Sequence, residues 1–370
     1  IIKEVNTFQS IKYDRDKDCL EIIDQTKLPF HKVVVSLNSI DDICNAIISM
    51  QVRGAPLIGL TAAYGFYFSF RENSTWDAFE SVSNRLIQTR PTAVNIRWVI
   101  EKARDRLKNV NTGSLKAEAL LLANELVVED AQICKMIGHF GAKELQRLWD
   151  IKCERAKEKG QPRPTALNVL THCNAGMLAA SSWGTALSPI YQATESIPIH
   201  VWVDETRPRN QGASLTCWEL MQHGIDHTLV VDNAGGHLMQ EGLVDCCIVG
   251  SDRATARGDI FNKIGTYLKA LAARDNQIPF YAAVPMSTID FNITDNYQEI
   301  TIEERTGEEV RTISGVDSQG VVRFISIAPP GVKVSNFSFD VTPARLVTAI
   351  FTEKGIMEPN VREISSLMNN

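Results

Sequence analysis

Residues able to do chemistry gather at the ends of short apolar runs in the second half of the chain. The runs ALNVLTHC, IHVWVDE, HTLVVDN, VDCCIVGSD and IPFYAAVP close on Cys173, Asp204-Glu205, Asp232-Asn233, Asp252 and Pro285, and polar or reactive residues follow each. Cys173 precedes Asn174, Ala175 and Gly176 at a predicted strand-to-helix turn. A helix N-terminal field there would lower its pKa and favour a thiolate, making it a nucleophile or base; the alternative is a buried structural cysteine. Asp252 ends a mostly apolar strand, where burial would raise its pKa toward that of a general acid; the alternative is a helix cap or a salt bridge to Arg253 or Arg257. Cys246 and Cys247, inside a strand, read as structural.

Anion-binding candidates lie in both halves. Arg53-Gly54-Ala55-Pro56 opens a predicted helix, combining free backbone N–H groups, the positive dipole end and a guanidinium. Arg90-Pro91-Thr92 opens another. Gln211, in Asn210-Gln211-Gly212, and the pair Asn262-Lys263 would place amide and ammonium donors near the strand ends, suited to sugar hydroxyls and phosphate. Simple helix punctuation, capping and a solvated lysine are the competing readings. No GxGxxG follows the first strand, no GxxxxGK[ST] is present, and His172 and His237 lack metal-ligand spacing. Dinucleotide, P-loop and zinc chemistry are all weakened.

The elements that must carry these residues fall into two grammars. Residues 19–36 predict a hairpin around Thr26, Lys27 and Pro29. Segments 40–51, 56–72, 75–89, 94–109 and 115–149 repeat apolar residues at three- and four-residue spacing, with Ser39, Ser74 and Thr92 as N-caps. A charged stretch with Gly160, Pro162 and Pro164 reads as a linker over 151–164. From 165, strand-like runs alternate with helical segments 176–187, 212–223 and 262–273, which predicts a parallel doubly wound sheet. Residues 295–325 read as a strand-poor loop, and TPARLVTAIFTEKG as a last helix capped by Thr342. The expected fold is therefore α/β: a mostly helical N-terminal domain with a small β-sheet (1–150), then a Rossmann-like catalytic domain (165–370) with a parallel sheet.

Composition agrees with folded globular domains, at 44% hydrophobic and 22% charged over 370 residues. A net charge of −6 supplies no global field for nucleic acid or anionic lipid. No stretch approaches the roughly 20 apolar residues of a membrane span. Eight scattered cysteines without CxxC pairs point to a reducing compartment, and the default location is the cytosol.

In order along the chain, RGAPLIG, RPTAVN, LTHCNAG, DETRPRNQGASLT, DNAGGHLM, GSDR, NKIGTY, VPMSTID and FDVTPARLVTAIFTEKG resemble the methylthioribose-1-phosphate isomerase family of methionine salvage. The resemblance implies a homodimer acting on a sugar phosphate without metal or other cofactor, with members in cytoplasm and nucleus. It further implies Cys173 and Asp252 as catalytic residues and Arg53, Gly54, Ala55, Arg90, Gln211, Asn262 and Lys263 as substrate contacts. Asp252 would protonate the ring oxygen of a furanose that cannot open by itself, and Cys173 would act as base or as stabiliser. Two rivals share the superfamily: a non-enzymatic subunit of the translation-initiation exchange factor, and ribose-1,5-bisphosphate isomerase.

Overall fold

A computed structural model describes residues 8–293 and 300–367. The N-terminal part opens with a three-stranded antiparallel sheet, β1 (Ile11–Asp14), β2 (Cys19–Ile23) and β3 (Val34–Leu37). The predicted hairpin is the β2–β3 pair, and β1 adds a strand to it. Five helices follow: α1 (Ile40–Ile48), α2 (Ala55–Glu72), α3 (Trp76–Thr89), α4 (Val94–Leu107) and α5 (Leu115–Glu158). Ser39 caps α1 as expected, accepting from the Asp42 N–H, but Thr75 rather than Ser74 caps α3. Ala93, not Thr92, precedes α4 without a side-chain cap. In α2, 14 of 18 residues are buried, so it is the central helix, enclosed on all sides by the others.

Helix α5 runs for 44 residues, about 66 Å at the usual rise per residue. Its first part, through Leu126, joins the N-terminal core, whereas Ile137, Leu145 and Trp149 pack against the following sheet. The first eight residues of the predicted linker are thus helical. Glu, Arg, Ala and Lys are strong helix formers, so loss of the apolar stripe at 151–158 marks a solvated helix end. Gly160, with φ 64°, and Pro162 then provide the termination.

The second half carries β4 (Leu167–Thr171), α6 (Leu187–Ala193), β5 (Ile199–Asp204), α7 (Cys217–Gln222), β6 (Asp226–Val230), α8 (Ala234–Gln240) and β7 (Cys246–Val249). Next come β8 (Arg253–Thr255), β9 (Ile260–Lys263), α9 (Thr266–Asp275), β10 (Phe280–Ala283) and β11 (Ile289–Asp290). Then follow α10 (Glu308–Arg311), β12 (Thr312–Val316), β13 (Val322–Ser326), β14 (Phe339–Thr342), β15 (Ala349–Thr352), β16 (Gly355–Met357) and α11 (Val361–Ser366). The main sheet has the order β16-β15-β10-β7-β4-β5-β6 and is parallel except for β16. Its central strands β4, β7, β10 and β15 are apolar on both faces because both are covered. Val169, Ile248 and Phe351 point to one core, while Leu170, Cys247 and Ile350 point to the other. Cys246 and Cys247 are fully buried in these two opposite layers, as a structural reading requires.

Three expectations are corrected. Residues 262–273 are not one helix: Asn262 and Lys263 end β9, in a second sheet of order β11-β8-β9-β14, and α9 begins only after Gly265, whose φ is 101°. The tract TPARLVTAIFTEKG is not a helix. It makes a short turn at Ala344–Leu346 and then the strands β15 and β16, because the β-branched run Val347 to Thr352 lies beside β10 within the sheet. The stretch 295–325 is not strand-poor, since it holds the antiparallel β12–β13 hairpin; its residues 295–299 lie outside those described.

Candidate active site

Strand order determines where a site can form. From β4 the chain moves outward through β5 and β6, then returns to place β7, β10 and β15 on the other side. Connections therefore leave in opposite directions at the β4–β7 junction, opening a crevice beyond the carboxyl ends of those two strands. Cys173 follows β4 and Asp252 follows β7, so the two reactive candidates flank this crevice.

The turn after β4 is tightly held. Cys173 has φ 67°, an uncommon left-handed conformation for a residue with a side chain. Its N–H donates to Thr206 Oγ1 (2.8 Å), its carbonyl accepts from Thr216 Oγ1 (2.6 Å), and its Sγ lies 3.4 Å from Gln211 Oε1. The helix expected immediately after Cys173 is absent; only a single turn at Met177–Ala179 follows. The expected lowering of the thiol pKa is also corrected. Burial pushes the thiol upward, against the pull of Arg53 and Lys263, and the charge of Asp252 pushes the same way as burial. Cys173 rests as a neutral thiol.

Asp252 is half-buried, and burial raises its carboxyl above the usual range, with Lys263, Arg53 and Arg90 opposing and Glu303 reinforcing. Lys263 is itself buried, which lowers its pKa against the favourable charges of Cys173 and Asp252. Its ammonium lies 4.5 Å from the Phe339 ring centroid, across the β9–β14 pair. Asn262 is buried and donates from Nδ2 to Thr266 Oγ1 at 3.1 Å.

The N-terminal part supplies two cations. Gly54 has φ 93°, and a Cβ there would lie 2.6 Å from Ala179 Cβ, so the start of α2 docks directly on the turn after Cys173. That contact delivers Arg53, whose guanidinium donates to Asn174 Oδ1 (2.6 Å) and to the Asn174 carbonyl (2.5 Å). Arg90, just past α3, donates to Glu303 Oε2 at 3.0 Å. A small cavity of about 40 Å³ is lined by Ala55, Arg90, Asp252, Phe261, Glu303 and Phe339. A larger one, about 540 Å³, is bordered by Arg53, Gln211, Pro208 and Phe324. Through these contacts and charges, Cys173, Asp252, Arg53, Arg90, Gln211 and Lys263 share one neighbourhood. Ala55 lines the cavity beside Asp252, Gly54 packs on Ala179 next to it, and Asn262 sits one residue along β9 from Lys263.

Sequence reasoning missed the residues that hold this arrangement. Glu219 is fully buried and accepts from Asn174 Nδ2 (2.9 Å), Leu178 N–H (3.0 Å), Met177 N–H (2.7 Å) and the Tyr191 hydroxyl (2.7 Å). It thereby orients the Asn174 amide toward Arg53. Asn174 lies in THCNAG, but nothing in the pattern announces a partner 121 residues away. The acids ending β5 and β6 prove structural. Asp204 Oδ2 meets His172 Nδ1 at 2.8 Å and Lys269 Nζ at 3.1 Å, and Asp232 accepts from the Thr206 and Arg207 N–H groups. The other ring nitrogen of His172 meets the Ile264 carbonyl at 2.8 Å, so the ring is held at both nitrogens. His172, Asp204 and Asp232 have ligand-type atoms within 4.8 Å of one another despite lacking a spacing motif, with Lys269 supplying the cation beside them.

Comparison with known proteins agrees with the architecture. The family model described as "Initiation factor 2 subunit family" matches residues 51–359, so this α/β protein with a crevice at the sheet's switch point belongs to that family. A crystal structure described as translation initiation factor eIF-2B, subunit delta, from A. fulgidus is 37% identical with a TM-score of 0.76, covering 98% of this chain and 100% of its own. That of 5-methylthioribose 1-phosphate isomerase from Pyrococcus horikoshii OT3 is 34% identical with a TM-score of 0.79, covering 98% and 96%. Methylthioribose-1-phosphate isomerase from Gluconobacter oxydans is 48% identical over 95% of this chain and 94% of the relative. Within the wider group, the chain belongs to the methylthioribose-1-phosphate isomerase family.

Proposed function

We propose that this protein converts 5-methylthioribose 1-phosphate to 5-methylthioribulose 1-phosphate, with Asp252 as acid and Cys173 as stabiliser. The observation carrying this reading is a raised-pKa carboxyl and a neutral thiol at the β4–β7 switch point, surrounded by Arg53, Arg90 and Lys263. The cations hold the phosphate, with the Gly54 and Ala55 N–H groups at the start of α2, and Gln211 and Asn262 contact the sugar.

Asp252 donates its proton to the ring oxygen as the C1–O bond breaks. The cation left at C1 is stabilised by the phosphate-ester oxygen and, through its sulfur, by Cys173. Hydride moves from C2 to C1, and the C2 hydroxyl proton returns to the Asp252 carboxylate, leaving the ketone. Burial of the thiol favours this route over abstraction by a resting thiolate. The test is reaction of C2-deuterated substrate in water: deuterium retained at C1 supports hydride migration, and full washout replaces it with an enediol route. Absence of any ketose from 5-methylthioribose 1-phosphate refutes the isomerase reading and favours a scaffold role; ketose from ribose 1,5-bisphosphate alone reassigns the substrate.

The separate cores support two domains divided within α5, an N-terminal helical one and a C-terminal Rossmann-like one. A homodimer is supported by the sheet edge at β6, where Leu229 and Val231 are exposed; Leu229→Glu should yield monomers in sedimentation. Eight free cysteines support a cytoplasmic and nuclear location, tested by imaging a tagged chain. Among the described residues no helix is long and apolar enough to cross a membrane.

A further inference from the structure

A cation that lines the same cavity as Asp252, Arg90, is already engaged by an anion of the chain itself. Arg90 and Glu303 both line the small cavity that Asp252 also lines, and the Glu303 carboxylate divides its two oxygens between different partners. Oε2 accepts from Arg90 Nη2 (3.0 Å) and from Thr92 Oγ1 (3.2 Å). Oε1 accepts from Arg305 Nη1 at 3.1 Å, and Arg305 is anchored independently by Glu309 at 3.0 Å. Among the described residues, Arg90 Nε is buried without a hydrogen-bond partner, so the guanidinium is only partly satisfied by Glu303. A second acceptor oxygen at Arg90 would fill that vacancy, which a bidentate phosphate can do and the present carboxylate does not.

We propose that Glu303 is an internal competitor for the phosphate site: it holds Arg90 in the free protein, and a phosphate takes its place while the carboxylate stays bound to Arg305. The exchange needs only a rotation about the Glu303 side chain, because the Arg305 contact is made by the other oxygen. Burial alone would raise the Glu303 carboxyl, but Arg90 and Arg305 outweigh it and keep the group ionised, as a competitor must be. The residue thus lowers phosphate affinity and helps release a phosphorylated product. It also adds a negative charge facing Asp252, alongside the positive charges of Lys263, Arg53 and Arg90.

This inference rests on the isomerase reading, since that reading assigns Arg90 to the phosphate. It is tested by titration calorimetry of inorganic phosphate into the full-length protein and its Glu303→Gln variant, with isomerase activity measured separately. The variant is expected to bind phosphate about five-fold more tightly, the worth of a partly exposed ion pair near 1 kcal/mol. In an Arg90→Lys background the same substitution is expected to change little, because the fork that receives both anions is gone. Should the glutamine variant fail to fold, Thr92→Val removes one hydrogen bond from the same oxygen and is expected to tighten phosphate about two-fold. Unchanged or weaker phosphate binding in the variants of a protein that isomerises overturns the competitor role alone. Loss of isomerase activity in the wild type with tightening still present overturns the substrate and leaves the anion exchange standing.

Discussion

Replacing Glu219 by Gln is the sharpest probe of how this site is held. The wild-type carboxylate accepts four hydrogen bonds, two on each oxygen, all from donors: Asn174 Nδ2 and Leu178 N–H on Oε1, Met177 N–H and Tyr191 O–H on Oε2. A glutamine of the same shape can accept on only one side. If its NH₂ faced Asn174 and Leu178, two donors would oppose it. If it faced Met177 and Tyr191, the phenol could turn to accept and only the Met177 N–H would be stranded, so this orientation prevails. One buried unsatisfied N–H costs about 1–3 kcal/mol, and two charge-assisted bonds become neutral ones. The expected loss of stability is therefore roughly 2–4 kcal/mol, read from urea unfolding. The functional consequence follows the chain Glu219, Asn174, Arg53: a looser Asn174 amide frees the Arg53 guanidinium. KM for the sugar phosphate should rise about ten-fold, equivalent to roughly 1.4 kcal/mol of positioning, while kcat changes less than three-fold. In an Arg53→Lys background the KM effect should be much smaller, because the fork that Asn174 orients is gone. A stability loss below about 1 kcal/mol with unchanged KM, or a collapse of kcat at constant KM, would show that Glu219 does not act through Arg53.

Other outcomes follow from the same geometry. Cys173, raised by burial, should react slowly with iodoacetamide at neutral pH and faster as pH rises, and Lys263→Met should slow it further by removing a charge that favours the thiolate; a thiol already fully reactive at pH 6 contradicts the neutral-thiol resting state. Asp252→Asn should lower turnover by about 10² to 10⁴-fold. Because the acid form is the active one, wild-type rate should fall as pH rises through the raised Asp252 pKa, and that limb should vanish in the variant. Asp130 is buried, and burial pushes its carboxyl from 3.8 to about 6. Below pH 4 it is protonated in both folded and unfolded chains; between 4 and 6 the folded state binds more protons, so stability falls with rising pH, reaching a penalty of roughly 3 kcal/mol above pH 6. Asp130→Asn should accordingly raise Tm at pH 8 and leave it nearly unchanged at pH 4; equal shifts at both values refute the assignment.

Much of this site was legible because chemistry in an open α/β sheet concentrates where strands end, and apolar runs in a sequence show where that is. Position in just this way made Cys173 and Asp252 candidates beside a structural alternative for each, and the ordered motifs of the family resemblance gave them their proposed roles. Helices α1 to α4 were legible for a similar reason, since three- and four-residue spacing records a buried face. Spacing failed where context overrides it. The run Val347 to Thr352 has enough small and apolar residues to pass for a helix, yet a place beside β10 makes it a strand. Residues 151–158 lack a stripe because that end of α5 is solvated, not because the chain is irregular there.

By itself, the sequence determined the class of fold, the strand ends and the types of residue available at them, because these depend on local periodicity and composition. Only the tertiary structure decided that β4 and β7 are neighbours and that α2 docks on the turn after Cys173. It also decided that burial keeps the thiol neutral, and that Glu219 and Glu303 control the two arginines. Those properties depend on contacts between residues far apart in the chain and on exclusion of water from the site, and neither leaves a periodic trace.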